Sequence, residues 1–586
     1  FGGRGGYEYF AEDGNHLFTM TQWYPRMCVY SDFQGWQNKQ FTGRGEFALV
    51  FGNYKVKMTV PSDHLVCSTG ECQNYQQVLT PAQFSRWQKA QNADEPVEIG
   101  LLEEAKKAEL GKSTTTKTWI FKADSVRDFA WGSSRKYVWD AMAVKVEGKK
   151  VMCMSFYGKE AYGLYRKYST KVVAHTIKTY SKYTIPYPYP VAQSIEAANG
   201  MEYPMICFNF GRTEKDGTYT EGSKNGMILV IIHEVGHNFF PMIINSDERQ
   251  WSWMDEGLNT FVQYLTEREF DSNYPSQRGP AYKMTDYMRL PKNMLEPIMT
   301  NSENIYNFGA NAYGKPATAL NILRETVMGR ELFDFAFKQY CNRWAFKHPE
   351  PADFFRSMED ASAVDLDWFW RGWFFDIEPV DVSIDTVKAF LISRGDKVPV
   401  KMDTVYSYPK MKEAEFITAL RNRESGIVPY VDRDTTLRDF YYHYKPNQTA
   451  TKEVKNKFES LELMPDSMYA NYNGKYIYEI KFSNKGGLVS PLIIQFNYTD
   501  GSSDIERIHA YIWRKNEKEV TKTFLKTKKV ASILLDPYRE TADINEKNNT
   551  WNLKSEPGKF ELFKAKAANG RGQSVGENPM QKAKAK

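Results

Sequence analysis

Two histidines four residues apart, with a glutamate directly after the first, are the chemistry-bearing group of this 586-residue chain: His233-Glu234-Val235-Gly236-His237. On a helix, residues four apart sit one turn above each other on a single face. Their imidazole nitrogens can then converge on one metal ion, and histidine nitrogens with a carboxylate are zinc-type ligands. Glu234, beside the first histidine, is placed to act as general base on a metal-activated water. A further carboxylate, Glu256, lies in Trp253-Met254-Asp255-Glu256-Gly257-Leu258-Asn259, at the start of a second segment with apolar periodicity. His233, His237 and Glu256 would hold one zinc and leave its fourth position to water, which is the arrangement of a catalytic site rather than a structural one.

The bland alternative is a helix with two satisfied histidines and a solvated glutamate. The surroundings argue against it. Met227-Ile228-Leu229-Val230-Ile231-Ile232 precedes the motif and Phe239-Phe240 follows it. A helix apolar all round is buried. Burying His, Glu and His without a partner costs on the order of several kcal/mol, and a metal removes that cost.

Peptide hydrolysis at such a centre also needs a donor for the oxyanion. Tyr313, in Asn311-Ala312-Tyr313-Gly314-Lys315-Pro316 just ahead of an apolar helix, is a candidate. Taken alone it is one tyrosine of 37, and packing is its default reading. An exopeptidase must in addition hold a free α-ammonium, which calls for a carboxylate. Glu202, in Asn199-Gly200-Met201-Glu202-Tyr203-Pro204, supplies one, and Gly200 would let a substrate backbone approach closely. Taken alone, Glu202 is ambiguous, a solvated loop glutamate being commoner than a ligand anchor.

The elements that must position these groups point to a multidomain α+β chain, since its length exceeds what one core holds. Residues 1–136 read as a β domain. Glu46–Phe51 and Tyr54–Val60 look like a hairpin broken at Gly52-Asn53, Lys117–Lys122 is a further strand, and 82–112 reads as an inserted helical pair. Residues 137–380 read as mixed and then helical, with helices over Lys159–Tyr183, Ala312–Met328, Leu332–Phe346 and Pro351–Ala361. The aromatic cluster Trp368 to Phe375 reads as core. Residues 381–468 read as a linker region with short elements. Residues 469–563 return to alternation, at Tyr476–Phe482, Leu492–Phe496 and Lys529–Leu535, as in a β-sandwich. Residues 564–586 read as a basic flexible tail.

Net charge is +5 and much of it sits in that tail, so the composition offers no nucleic-acid surface. No apolar run reaches the roughly 18 residues of a membrane span. The six cysteines are scattered without metal-ligand spacing; Cys67 and Cys72 either close a small loop or stay as thiols. The first residue is Phe1, which is expected of a chain that starts after a processing event or a fragment boundary.

Taken as a set, Gly200-Met201-Glu202, His233-Glu234-x-x-His237, Trp253-x-x-Glu256-Gly257 and Tyr313 in Tyr-x-Lys resemble the aminopeptidase N family of gluzincin zinc metallopeptidases, in order and in gaps. Asn238-Phe239-Phe240-Pro241 and Val126-Arg127-Asp128-Phe129-Ala130-Trp131 look like that family too. The resemblance covers roughly 1–380, is of the bacterial type, and extends more loosely to the sandwich. It implies a thermolysin-like catalytic domain and one Zn²⁺ on His233, His237 and Glu256. It implies Glu234 as general base, Tyr313 on the oxyanion, Glu202 on the substrate's free N-terminus, and Gly200 and Met201 along the substrate backbone. The implied activity is removal of N-terminal residues from peptides. Two departures stand out. Tyr203 occupies a position where the family usually has Asn, and the β domain is shorter than the family's, as if N-terminally incomplete. The resemblance also suggests an exported location, periplasmic or cell-envelope. The other readings are a catalytically silent relative acting as a binding or scaffold protein, a zinc endopeptidase, and a surface-binding protein using the sandwich as an adhesion module.

Overall fold

The computed structural model describes residues 5–392, 402–407, 415–443, 453–458, 472–552 and 583. The chain opens on strands: Gly6–Phe10 (β1), Asn15–Met20 (β2), the short pair Tyr30–Ser31 (β3) and Gly35–Trp36 (β4), then Gly52–Pro61 (β5), Leu65–Ser68 (β6) and Glu71–Cys72 (β7). Helices Tyr75–Val78 (α1), Pro81–Ala90 (α2) and Leu102–Glu109 (α3) follow, with Val97–Gly100 (β8) between the last two. So the expected helical pair over 82–112 encloses a strand. Thr80 starts α2 with a reciprocal capping box to Gln83. Thr116–Val126 (β9) and Trp131–Ser134 (β10) complete two sheets, ordered β1-β2-β10-β6 and β5-β9-β7.

The hairpin expected at Gly52-Asn53 does not form. Strand β5 runs through that pair and takes β9 as its partner, Tyr54 opposite Ala123 and Pro61 opposite Thr116. Residues 46–51 form no strand. Leu49 makes a single bridge to Cys28, and other peptide groups go to side chains from far along the chain: Phe47 N donates to Glu248 Oε2 (2.9 Å), Arg127 Nη2 to the Phe47 carbonyl (2.9 Å) and Asn245 Nδ2 to the Leu49 carbonyl (2.6 Å). A backbone engaged in that way has few groups left for a ladder. Cys67 in β6 and Cys72 in β7 stand in different sheets, and all six cysteines are free thiols.

Val138–Val146 (β11) and Lys149–Tyr157 (β12) form a tight hairpin. Both turn residues have positive φ, Glu147 at 45° and Gly148 at 81°, as a two-residue turn that matches strand twist requires. The helical run expected over Lys159–Tyr183 is present, as a 3₁₀ turn, Tyr162–Leu164 (α4), a π-helical turn and Thr170–Tyr183 (α5). Val191–Glu196 (β13), Met201–Tyr203 (β14) and Ile206–Asn209 (β15) then complete a six-stranded sheet in the order β14-β15-β13-β12-β11-β8. β14 is therefore an edge strand. Helix Glu221–Gly236 (α6) packs on this sheet and on α5, and Leu258–Phe270 (α7) packs on α5 and α6. Thr285–Met288 (α8), Lys315–Ile322 (α9), Arg330–Trp344 (α10), Pro351–Ser362 (α11) and Asp367–Phe374 (α12) follow. The aromatic cluster is core, as expected: Phe355 packs against Trp253 at 5.9 Å and against Trp370 at 4.9 Å between ring centroids. Phe375 is the exception and is exposed.

Val382–Leu391 (β16) and Met402–Ser407 (β17) lie in the stretch expected to be a linker. β16 pairs with Tyr476–Asn484 (β19), so it belongs to the C-terminal sheets. Ile417–Glu424 (α13), Tyr430–Arg433 (α14) and Phe440–His443 (α15) come next. They dock on the helical region: Arg330 reaches the Thr418 carbonyl and Asn422 Oδ1, both at 2.7 Å, and Lys171 reaches Asp434 at 2.7 Å. That makes residues 415–443 a packed element rather than a free linker. Glu453–Phe458 (β18) pairs with β17. Leu492–Tyr498 (β20), Ser503–Ile508 (β21), Glu519–Lys526 (β22), Val530–Leu535 (β23) and Thr550–Trp551 (β24) finish the described sheets, ordered β16-β19-β22 and β21-β20-β23-β24. Tyr478, Ile480 and Phe482 of the first sheet, with Ile494, Phe496 and Ile533 of the second, are fully buried, as in a sandwich. The tail expected at 564–586 lies outside the described residues apart from 583. Among the described residues, no helix is long and apolar enough to cross a membrane.

Candidate metal centre and its cavity

Helix α6 starts at Thr220, whose hydroxyl accepts from Ser223 N (2.9 Å), and runs through the apolar stretch 227–232 to His233 and Glu234. His237 caps its end. Gly236 allows the crossing of α5, α6 and α7, since a Cβ there would lie 2.2 Å from Tyr180 Oη and 2.4 Å from Asn259 Oδ1. Glu256 comes from the π-helical turn Trp253–Gly257 that leads into α7, and Tyr313 from the π-helical turn Gly309–Gly314 that leads into α9. Such turns re-aim a side chain within a helix and are frequent at functional sites.

His233 Nε2 lies 3.0 Å from Glu256 Oε2 and 3.1 Å from His237 Nε2; His237 Nε2 lies 3.3 Å from the same Glu256 oxygen. Three acceptor atoms this close require a shared positive charge. Around a tetrahedral ion with ligand bonds of about 2.0–2.1 Å, ligand atoms stand about 3.3 Å apart. The set therefore fits a zinc-sized cation. The electrostatics agree. Burial opposes a charge on His237, yet Glu202, Asp255 and Glu256 hold its pKa well above the imidazole range. Burial and the neighbouring His237 push His233 down, and Glu256 is held low against its burial by the two histidines. The distal nitrogens face acceptors. His237 Nδ1 donates to the Phe240 carbonyl (2.8 Å) and lies 3.1 Å from Asp255 Oδ1, while His233 Nδ1 lies 2.8 Å from Gln263 Oε1.

A cavity of 320 Å³ opens beside these ligands. All eight residues singled out from the sequence border it: Gly200, Met201, Glu202, His233, Glu234, His237, Glu256 and Tyr313. Glu202, Glu234 and His237 each bring a polar atom within 4.8 Å of the others'. Glu202 Oε1 and Glu234 Oε2 are buried with no hydrogen-bond partner among the described residues. Burial raises both carboxyls, Glu234 well above the usual range, and for Glu234 the charge of Glu202 adds to it. A Cβ at Gly200 would come within 2.6 Å of Glu234 Oε1 and 2.8 Å of Val230 Cγ2, so only glycine lets the chain entering β14 run this close to α6. Tyr313 Oη donates to Glu256 Oε1 at 2.5 Å, and its ring stacks on His233. Burial and Glu256 keep that phenol protonated. Tyr203, the departure from the family's Asn, points elsewhere: its hydroxyl accepts from Gln22 Nε2 (3.2 Å) in the first β region.

Sequence reasoning missed Glu46, Asp255 and Gln263. Glu46 borders the cavity from the first β region, and one of its carboxylate oxygens lies within 4.8 Å of Glu202 and Glu248. Its segment is pinned by Arg127, which forms a buried ion pair with Glu248 and donates to Asn245 Oδ1 (3.1 Å) as well as to the Phe47 carbonyl. Glycine at position 45 permits the close approach, since a Cβ there would lie 2.6 Å from the Glu248 carbonyl. Asp255 stood beside a proposed ligand, and Gln263 follows Glu256 at helical spacing, but neither spacing says which acceptor meets which imidazole.

Residues 168–373 match the Peptidase family M1 domain, a span that holds Glu202, His233, Glu234, His237, Glu256 and Tyr313. The chain is similar to Probable aminopeptidase 1 of Sulfurisphaera tokodaii, 25% identical over 342 residues, which are 54% of this chain and 43% of that protein. It is 24% identical to Aminopeptidase M1 of Arabidopsis thaliana over 242 residues, 39% of this chain and 27% of the relative. The matches thus span less than half the length of these relatives. An M1 zinc metallopeptidase structure from Deinococcus radiodurans aligns at 15% identity and a TM-score of 0.43, over 64% of this chain and 72% of that one. The likeness to peptidase family M1 thus rests on residues 168–373, about a third of the chain.

Proposed function

We propose that this protein is a zinc-dependent aminopeptidase that hydrolyses the first peptide bond of chains with a free N-terminus. The observation that carries the reading is the closeness of Glu202 to Glu234 and His237 in one cavity. A carboxylate that can pair with an α-ammonium stands about one residue's length from the group that can move a proton. One zinc ion held by His233, His237 and Glu256 would supply Lewis acidity toward the scissile carbonyl and a more acidic water.

The protein's own groups do the rest. Glu234 takes a proton from the attacking water and delivers it to the leaving amine. Tyr313 has a phenolic proton to donate to the oxyanion, on giving up Glu256 Oε1 for that acceptor. Glu202, with Glu46 beside it, holds the ammonium, and so sets the first peptide bond over the base. Gly200 and Met201, at the edge of the six-stranded sheet, form the wall along which a substrate backbone lies.

The test is one short peptide, free and N-acetylated, with and without a chelator. Chelator-sensitive cleavage of the free form alone is the expected result. Cleavage of both forms would replace the reading by an endopeptidase, and no cleavage by zinc-loaded protein would replace it by a silent relative.

A further inference from the structure

Behind His233, away from the cavity, α7 presents Asn259, Gln263 and Glu267 at intervals of four, all on one face and all buried. Two of them compete for the same imidazole nitrogen. Gln263 Oε1 lies 2.8 Å from His233 Nδ1, and Asn259 Nδ2 lies 3.3 Å from it. The first contact needs a proton on Nδ1 and the second needs a lone pair there.

Each amide's orientation is set by its other partners. Tyr180 Oη donates to Asn259 Oδ1 (2.7 Å) and Asn259 Nδ2 donates to the His233 carbonyl (2.8 Å), so Asn259 turns its NH₂ toward the ring. Gln263 Nε2 lies 2.7 Å from Glu267 Oε1, and a carboxylate accepts from an amide NH₂, so Gln263 turns its oxygen toward the ring. The shorter contact belongs to Gln263. It places the proton on Nδ1 and leaves Nε2, the atom facing Glu256 and His237, as a bare lone pair.

We propose that Gln263 and Glu267 are positioning residues that act in series: Glu267 holds the Gln263 amide, and Gln263 holds His233 in the tautomer that offers Nε2 to a cation. The proposal rests on the metal reading of His233 given above. Without the Gln263 oxygen, Asn259 is the remaining polar neighbour of Nδ1 and it donates. The ring then favours a proton on Nε2, 3.0 Å from a Glu256 oxygen that accepts it. A metal has to displace that proton before it binds.

The experiment is zinc binding to chelator-stripped protein, read by competition with a chromophoric chelator at neutral pH, with the melting temperature of each apo-protein as control for folding. Gln263→Leu is expected to lose about 10- to 100-fold in zinc affinity, the usual effect of removing a partner behind a metal-bound histidine. Glu267→Gln, which no longer dictates the amide's orientation, is expected to lose less. The exchanged pair, Gln263→Glu with Glu267→Gln, keeps an acceptor toward Nδ1 and an amide–carboxylate contact behind it, and is expected to bind close to wild type. A merely structural role would not be rescued by that exchange. Should Gln263→Leu fail to fold, Glu267→Gln against the exchanged pair carries the comparison. Unchanged affinity in Gln263→Leu, or an exchanged pair as weak as the single variants, overturns the proposal alone. Wild-type protein that takes up no zinc overturns the metal reading, and the relay with it.

Discussion

The two walls of the cavity are built by different means. The metal wall comes from one short stretch, 233–267, on two crossing helices, and each imidazole has an acceptor behind it. The wall proposed to face a substrate's amine is composite. Glu202 sits on an edge strand and Glu46 on a segment from the first β region, held there by Arg127, Glu248 and Asn245. A wall encoded locally survives changes elsewhere in the chain. A composite wall depends on the docking of two regions, so substitutions far from the metal can alter substrate choice while leaving the metal in place.

The largest effect expected is at the junction of the walls. Glu234→Gln should bind zinc normally and lose about 10²- to 10⁴-fold in kcat, the range for removing a general base; near-normal turnover by that variant, with metal content measured, would take the base role away from Glu234. Next comes the composite wall's anchor. Arg127→Met strands the buried Glu248 carboxylate and should cost about 3–5 kcal/mol in unfolding free energy, while a stable variant would mean that the first β region is held by other contacts. Glu202→Ala should lower kcat/KM for free peptides by roughly 100-fold, as for truncating one partner of a buried charge pair, with zinc affinity unchanged. An unaltered preference for free over N-acetylated peptide would break the distinction between the walls. Glu46→Gln should act in the same sense and more weakly, about 10-fold in KM, since a half-buried charge contributes less than a buried one.

The smallest effect concerns the support of the metal wall. His175 lies buried behind α7, donating through Nε2 to the Thr266 carbonyl (3.0 Å) and stacking on Tyr430. Burial pushes its pKa down from 6.5 to about 4. The unfolded chain therefore binds the proton first, and the contribution of His175 to stability is full above pH 6.5 and declines on acidification toward pH 4. Between about pH 7 and pH 5.5 that decline is about 1 kcal/mol. His175→Gln should show a correspondingly shallower loss of melting temperature over this range than wild type does.

Much of the metal wall was legible in the residues and their spacing. Helical period puts His233 and His237 on one face, and the apolar run at 227–232 says that the helix is buried. The amine wall was legible only in part. Glu202 and Gly200 stood out as types, but Glu46 gave no sign, because a loop side chain is aimed by contacts outside its own segment. The same reason explains the misread hairpin at 46–51, a sequence with strand-like residues whose peptide groups are claimed by Arg127, Asn245 and Glu248. It also explains β16, whose partner β19 lies some ninety residues on, beyond the reach of pattern reading.

The chemistry on offer thus follows from the residues alone: two imidazoles at helical spacing with a glutamate between them, a carboxylate on the following segment, and most of the strands and helices that carry them. Helix turns and pleats have fixed geometry, which needs no knowledge of neighbours. How that chemistry is aimed was left to packing. Packing chose which carboxylates face the base, which acceptor stands behind each histidine, and which nitrogen is left bare. Those are choices between groups far apart in the chain, and burial makes them, because a buried polar atom must take whichever partner the fold brings to it.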